Sequence, residues 1–476
     1  MKRDDSEMGR RDFGRLIGAG ALAAPAAASA PPARIAARPA SEPVGYVKCA
    51  FTYPPTGKLR DAGYYSWPGS TFDAEGRQRE YTAALERIAA GMNLRLEIEP
   101  RAIDTKEDAA RFAAAAKAAR PDGLLLIPFK KSHAENVAAI IAETDLPAVV
   151  FTTMGVLLNP QVRDFAARPK TAVINSLENV GAVRQGLKLI QARRRLQDST
   201  IVDIAAKVRS ESTVPHLGAR VVRVPLEDFY GLFAKTGRTE EVNARARRYL
   251  RDAVRMVEPT ESDVFEAAKC YSVLRQIIDR EKADAMMMTC LPGLYHPHRH
   301  VPPCMGFMDL RDEGVPSGCE SDLDATLSMM MLQYLFDRPG FQHNPCSDTE
   351  RKLYFGAHCT SASRMLGVDS KPEPYALRSH AEAGWGCVPQ VIFPAGQKVT
   401  FAKYHHQATE MVIYGGTVTG CPANPPAGGC RTNVEIRLDE IADPSQVKSH
   451  HLCLCYGEYA GQLRAFCRMH GIAATA

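Results

Sequence analysis

At 476 residues the chain is long enough to bury two or three separate cores. Its 45% hydrophobic and 24% charged residues are those of an ordinary globular protein, and a formal net charge of +5 over this length gives no warrant for a nucleic-acid surface. The one basic cluster, Arg193-Arg194-Arg195, follows a helical pattern and reads as a solvated helix end.

Residues 1–30 differ from the rest. Arg10-Arg11-Asp12-Phe13 precedes an Ala-rich apolar run over 16–28, and small residues close it, which resembles a twin-arginine export signal. Gly9 before the arginine pair and Gly14 at a usually large apolar position depart from that pattern; cleavage is expected after Ala28 or Ala30. The apolar run is well short of the ~20 residues of a spanning helix, and no other segment is long and apolar enough, so no stable membrane insertion is expected. The resemblance implies the twin-arginine export machinery as a partner and a periplasmic or otherwise exported location. Pro- and Ala-rich residues 31–42 read as a linker.

From residue 43 to about 170, apolar strands at 44–51, 94–98, 123–128 and 148–152 alternate with helices at 78–92, 109–119 and 134–144. That rhythm predicts a parallel sheet covered on both faces. No G-x-G-x-x-G and no G-x-x-x-x-G-K-[ST] accompanies these strands, which removes support for a dinucleotide or nucleoside triphosphate site. A second α/β segment is expected over 171–335, with strands at 172–174, 200–204 and 285–290 and helices at 240–256, 262–281 and 322–336. Over 336–476 short β-branched or alternating runs at 352–355, 390–393, 398–404, 410–419 and 431–438, separated by turn residues, predict an antiparallel β domain, closed by a strand at 452–456 and a helix at 460–470. The expected fold class is therefore α/β: two Rossmann-like doubly wound α/β domains followed by a C-terminal antiparallel, barrel-like β domain.

Thirteen cysteines include no C-x-x-C pair, which argues against a zinc ribbon. Cys421 and Cys430 flank a Pro/Gly-rich loop between two strand-like runs, where a bridge would staple a hairpin; reduced thiols are the alternative. Tyr295-His296-Pro297-His298-Arg299-His300, with Cys304 behind it, reads either as a surface loop or as a metal tract.

Glu320, on a turn after Gly318-Cys319 and just ahead of the 322–336 helix, is the leading catalytic carboxylate. Unsatisfied backbone N–H groups and the helix dipole stabilise a negative charge there. Glu320 or Asp322 could equally be only a helix cap. Arg378, His380 and Glu382 would share one face of an extended stretch and could bind hydroxyl groups or form an ion-pair network.

Gly318-Cys319-Glu320-Ser321-Asp322, Ala357-His358-Cys359-Thr360 and His450-His451-Leu452-Cys453-Leu454-Cys455-Tyr456-Gly457, in this order, resemble the L-fucose isomerase and L-arabinose isomerase group. The resemblance is strongest over 305–457 and implies a metal-dependent aldose–ketose isomerase acting on a free pentose or 6-deoxyhexose. In that group the metal is held by a glutamate in a C-E-x-D turn, an aspartate after the following helix and a histidine near the C-terminus. These fall on Glu320, Asn344 and His451, within Arg338-Pro339-Gly340-Phe341-Gln342-His343-Asn344 for the middle position.

The aspartate is thus replaced by Asn344, which is either a neutral ligand or a bystander, carries no charge and cannot act as a base. His343 or Asp348 could substitute for it. The resemblance further implies manganese, with magnesium as the alternative, His358, Arg378, His380 and Glu382 as substrate-binding residues, a small sugar as ligand, and a homotrimer or homohexamer. An exported sugar-binding protein that kept the pocket and lost catalysis at Asn344 is the second reading.

Overall fold

The computed structural model describes residues 43–61, 69, 71–153, 155–295, 298–422 and 429–475. The expected export signal and linker lie outside the described residues, as do His296, Pro297 and residues 423–428 of the loop joining Cys421 to Cys430.

Strand β1 (Tyr46–Thr52) is followed by the short α1 (Thr56–Asp61), α2 (Ala74–Gly91), β2 (Arg95–Ile98), α3 (Lys106–Ala119), β3 (Gly123–Pro128), α4 (Ala134–Thr144), β4 (Ala148–Thr153), α5 (Asn159–Ala167), β5 (Thr171–Ser176) and α6 (Val183–Asp198). The five strands form a wholly parallel sheet in the order β2-β1-β3-β4-β5. Alternation along the strands divides the burial between two faces: Cys49, Phe51, Leu125 and Phe151 pack into one cluster, Ala50, Leu124, Leu126 and Val150 into the other. Helices start where side chains satisfy orphan N–H groups, as Asp73 does for Gly76 and Thr105 for Asp108. The strand expected at 172–174 was to open the second α/β segment. It instead completes the first sheet, because Thr171–Ser176 pairs along its whole length with Ala148–Thr153.

The second sheet comprises β6 (Thr200–Ala206), β7 (Ser210–Thr213), β8 (Arg220–Pro225), β10 (Ala285–Met288) and β11 (Ser317–Cys319), in the order β11-β10-β6-β8-β7. It is parallel except for β7 on β8. Between these strands run α7 (Leu226–Lys235), α8 (Glu240–Asp252), the two-residue β9 (Arg255–Met256), α9 (Glu261–Glu281) and α10 (Cys304–Asp312), and α11 (Leu323–Phe336) follows β11. The Met- and Leu-rich α11 is almost wholly buried and joins the core shared with α6.

The C-terminal part holds β12 (Phe341–Asp348), β13 (Leu353–His358), β14 (Tyr375–Arg378), β15 (Val388–Val391), β16 (Lys398–His405), β17 (Glu410–Gly420), β18 (Thr432–Leu438), β19 (Leu452–Tyr456), α12 (Ala460–Met469) and β20 (Ala473–Thr475). Six of these strands close an antiparallel barrel in the order β16-β19-β12-β13-β18-β17, with β17 pairing back onto β16. Closure removes the free edges that an open sheet of this size would expose. The run at 390–393 does not enter the barrel: β15 pairs with β14, and β14 with β9 from the preceding segment. Among the described residues no helix is long and apolar enough to cross a membrane.

Candidate metal centre

The turn after β11 is where the second sheet meets the barrel. Glu320 and Ser321 both take left-handed backbone angles, with φ of +59° and +51°, a costly conformation for residues with a Cβ. Three clamps hold it. Gln342 on β12 brackets Cys319, accepting its N–H at 2.9 Å and donating to its carbonyl at 3.2 Å. The Ser321 hydroxyl donates to Asp203 of β6 at 2.7 Å and lies 2.8 Å from the Thr289 hydroxyl beyond β10. Gly318 lies so close to α11 that a Cβ there would fall 2.0 Å from the Thr326 hydroxyl. The turn sits at the carboxyl ends of parallel strands, where ligands of open α/β sheets bind.

Asp322, not Glu320, caps α11: its Oδ1 accepts the Ala325 N–H at 2.8 Å. Glu320 is left to face two imidazoles, with His358 Nε2 3.5 Å from Oε1 and His451 Nε2 3.4 Å from Oε2. His358 ends β13 and His451 immediately precedes β19, itself at a φ of +52°. The two rings lie 5.3 Å apart by their centroids. His358 and then His451 hold the Glu320 carboxyl well below the usual carboxylate range, against the opposing effect of burial.

The other face of His451 is fixed as well. Its Nδ1 donates to Asp322 Oδ2 at 2.9 Å, which in the neutral ring leaves Nε2 as a bare lone pair directed at Glu320. Asp322 Oδ2 also receives the buried Lys403 ammonium at 2.5 Å, and Lys403 donates again to the His450 carbonyl at 2.9 Å. Burial pushes the Asp322 carboxyl up, but His451 and Lys403 outweigh it and hold it well below its ordinary value. Burial alone would lower His451; Asp322 and Glu320 reverse that and raise it.

The donor atoms of Glu320, His358 and His451 lie within 4.8 Å of one another, as do those of Asp322, His450 and His451. The first group fits a divalent cation. Metal–donor bonds of about 2.1 Å at angles of about 90–110° separate adjacent donors by about 3.0–3.5 Å, which matches the 3.4 and 3.5 Å found. His358 is 2% exposed, and among the described residues neither of its ring nitrogens has a hydrogen-bond partner. A buried imidazole left so is a costly arrangement that a cation would relieve. In the second group the positive charge is already supplied by Lys403.

Asn344 lies on β12 opposite Ala357, solvent-exposed, on the strand face it shares with Gln342. Neither suggested substitute is free to replace a missing carboxylate. His343 points into the barrel, where Nε2 meets the Tyr354 hydroxyl at 2.6 Å and Nδ1 the Phe341 carbonyl at 2.9 Å. Burial lowers its pKa to about 3. Asp348 Oδ1 accepts the Arg351 N–H at 2.9 Å in the turn after β12.

Arg378, His380 and Glu382 do not share a face, because β14 ends at Arg378 and the chain turns, with the Gly384 N–H donating to the His380 carbonyl at 2.8 Å. Arg378 is 5% exposed and forked onto Glu258 at 2.7 and 2.8 Å, with Gln390 at 2.7 Å, so it belongs to a structural ion pair. That fork holds Glu258 down to about 2. Glu382 is exposed and accepts the Tyr295 hydroxyl at 3.4 Å. His380 has both ring nitrogens engaged, Nδ1 by the Ala383 N–H and Nε2 by Cys359 Sγ, each at 3.1 Å.

His298 and His300 do not converge. The first sits 4.4 Å from the Trp385 ring, and the second is buried against Phe229, Tyr230 and Phe233. Sequence reasoning gave Lys403 no role, for a lysine in a strand of ordinary composition carries no signal of its partner. No protein-family model matches the chain, and no curated protein matches it in sequence.

Proposed function

We propose that the chain is a metal-dependent aldose–ketose isomerase-like protein of the L-fucose/L-arabinose isomerase type, acting on a free pentose or 6-deoxyhexose. The observation that carries the reading is His358, buried with neither ring nitrogen hydrogen-bonded among the described residues, and 3.5 Å from the Glu320 carboxylate. Glu320, His358 and His451 are the ligands in this reading, and manganese, or magnesium, is the ion. When bound, the ion supplies a positive charge that polarises the carbonyl and hydroxyl oxygens of the sugar. In this reading Glu320 also serves as the carboxylate that takes a carbon-bound proton, and Asp322 keeps the His451 ring in the tautomer that presents Nε2. In the same reading the wholly parallel first sheet and the mostly parallel second sheet are the centres of two Rossmann-like domains, the protein is exported by the twin-arginine route to the periplasm, and it assembles as a homotrimer or homohexamer.

A second reading, a sugar-binding protein without turnover, is favoured by one observation. The partner carboxylate of a two-carboxylate shuttle is Asn344, and neither His343 nor Asp348 is free to replace it.

The test is to load the protein with manganese, count bound metal by elemental analysis, and follow solvent deuterium into C1 and C2 of a pentose and 6-deoxyhexose panel. One ion per chain with deuterium uptake, both lost in Glu320→Gln, is the expected result. One ion per chain with sugar binding but no uptake moves the assignment to the second reading. Failure to retain any divalent ion rejects the metal centre itself.

A further inference from the structure

We infer that Cys359 and Cys430 form a redox-labile disulfide pair, closing beside the candidate centre and not across the hairpin where Cys421 would meet Cys430. In the structure all thirteen cysteines are thiols, and the Cys359 and Cys430 Sγ atoms stand 3.6 Å apart, in contact. β13 and β18 run antiparallel with His358 opposite Thr432, and both cysteines lie just past the paired ends, Cys359 after the one strand and Cys430 two residues before the other. A continued ladder would set Cys359 against Arg431, so the chain leaves the strand pattern there, and it is the Sγ–Sγ contact that shows the two side chains turned toward each other.

The alternatives are less well placed. Cys421 Sγ is held by the Phe393 backbone, whose N–H donates to it at 3.2 Å. Cys304 packs into the same small cluster but is 3% exposed, whereas Cys430 is partly exposed and open to an oxidant. Cys359 Sγ also lies 3.1 Å from His380 Nε2, and the same ring accepts the Ala383 N–H at Nδ1, so the neutral ring carries its proton on the nitrogen facing the sulfur.

The oxidant is a low-molecular-weight disulfide such as oxidised glutathione. The Cys430 thiolate attacks one glutathione sulfur, the glutathione S–S bond breaks, and one glutathione leaves and takes up a proton. The Cys359 thiolate then attacks Cys430 Sγ in the mixed disulfide and expels the second glutathione, which is protonated in turn. Two thiols have lost two electrons and two protons, and the oxidant has gained both.

The experiment is to incubate the full chain with oxidised glutathione or with dithiothreitol, alkylate remaining thiols, digest without reduction and identify linked peptides by mass spectrometry. A peptide joining Cys359 to Cys430, reversed by dithiothreitol, kept in Cys421→Ala and absent in a folded Cys430→Ala, is expected. Linkage of Cys430 to Cys421, linkage of Cys359 to Cys304, or full alkylation of Cys359 and Cys430 after oxidation in the folded wild-type chain would overturn the assignment.

Discussion

Asp322 serves three partners at once, which makes it the most informative residue to change. One oxygen caps α11, and the other holds both the His451 ring and the Lys403 ammonium. Asp322→Asn keeps an oxygen for the cap but removes the charge. A hydrogen-bonding carboxylate behind a metal-bound histidine is worth about 10–100-fold in affinity, so manganese binding measured by chelator competition should weaken by that order. The same variant strands a buried ammonium, and breaking such a pair costs about 3–5 kcal/mol, which urea unfolding of the metal-free protein would report. Unchanged affinity in a folded Asp322→Asn protein would remove Asp322 from the centre's support.

At the scale of elements, the decisive feature is how tightly β11, α11, β12 and β13 are drawn together. The buried Arg311 on α10 donates through Nε to the Ser317 carbonyl at 3.0 Å and through Nη1 to the Thr360 carbonyl at 3.1 Å, tying β11 to the segment that follows His358. Gly318 lets α11 pack onto the strand end, and a methyl group there would meet Thr326 and Met287. Gly318→Ala is therefore expected to push α11 away and move Glu320. Overpacking of this kind costs about 1–3 kcal/mol, visible as a lowered thermal midpoint, together with weaker manganese retention. A variant as stable as the parent with undiminished metal binding would show that the close approach is not needed.

For the molecule as a whole, pH response follows from buried histidines. Burial lowers His343 to about 3 and His300, His380 and His470 to about 4. In the unfolded chain each titrates near its ordinary value of about 6.5. Below that pH the unfolded state binds protons that the folded state does not, so the stability these groups contribute is present above it and is lost as pH falls toward 4. Each contributes a slope of up to about 1.4 kcal/mol per pH unit. Burial raises Asp312 to about 7 and Asp324 to about 6, and these act in the opposite sense by favouring the folded state as pH falls through their range. His133 and His405, also lowered by burial, add to the loss, while Asp203, Glu313 and Glu373, raised by burial, and His451, raised against burial by Asp322 and Glu320, offset part of it. The four strongly lowered histidines leave a net loss, so the urea midpoint should fall between pH 7 and pH 5. A midpoint that rises over that interval would mean that the histidines are not buried as neutral rings.

What the sequence determined by itself was whatever is local and periodic. Alternating apolar strands and helices specified the parallel sheets, and short β-branched runs specified a β-rich C-terminal part, because burial on one or two faces is written directly in the residue pattern. The position of Glu320 on a turn ahead of a helix was legible for the same reason. Tertiary structure alone decided which carboxylate is the cap and which is free, since Glu320 and Asp322 are chemically alike and only the approach of His358, His451 and Lys403 separates them. It also decided that Thr171–Ser176 belongs to the first sheet, and that Arg378 is spent on Glu258. It placed Cys430 against Cys359, a residue 71 positions away in the chain. Each of these depends on a contact between segments far apart in sequence, and nothing in a residue's own neighbourhood encodes the partner that folding will bring to it.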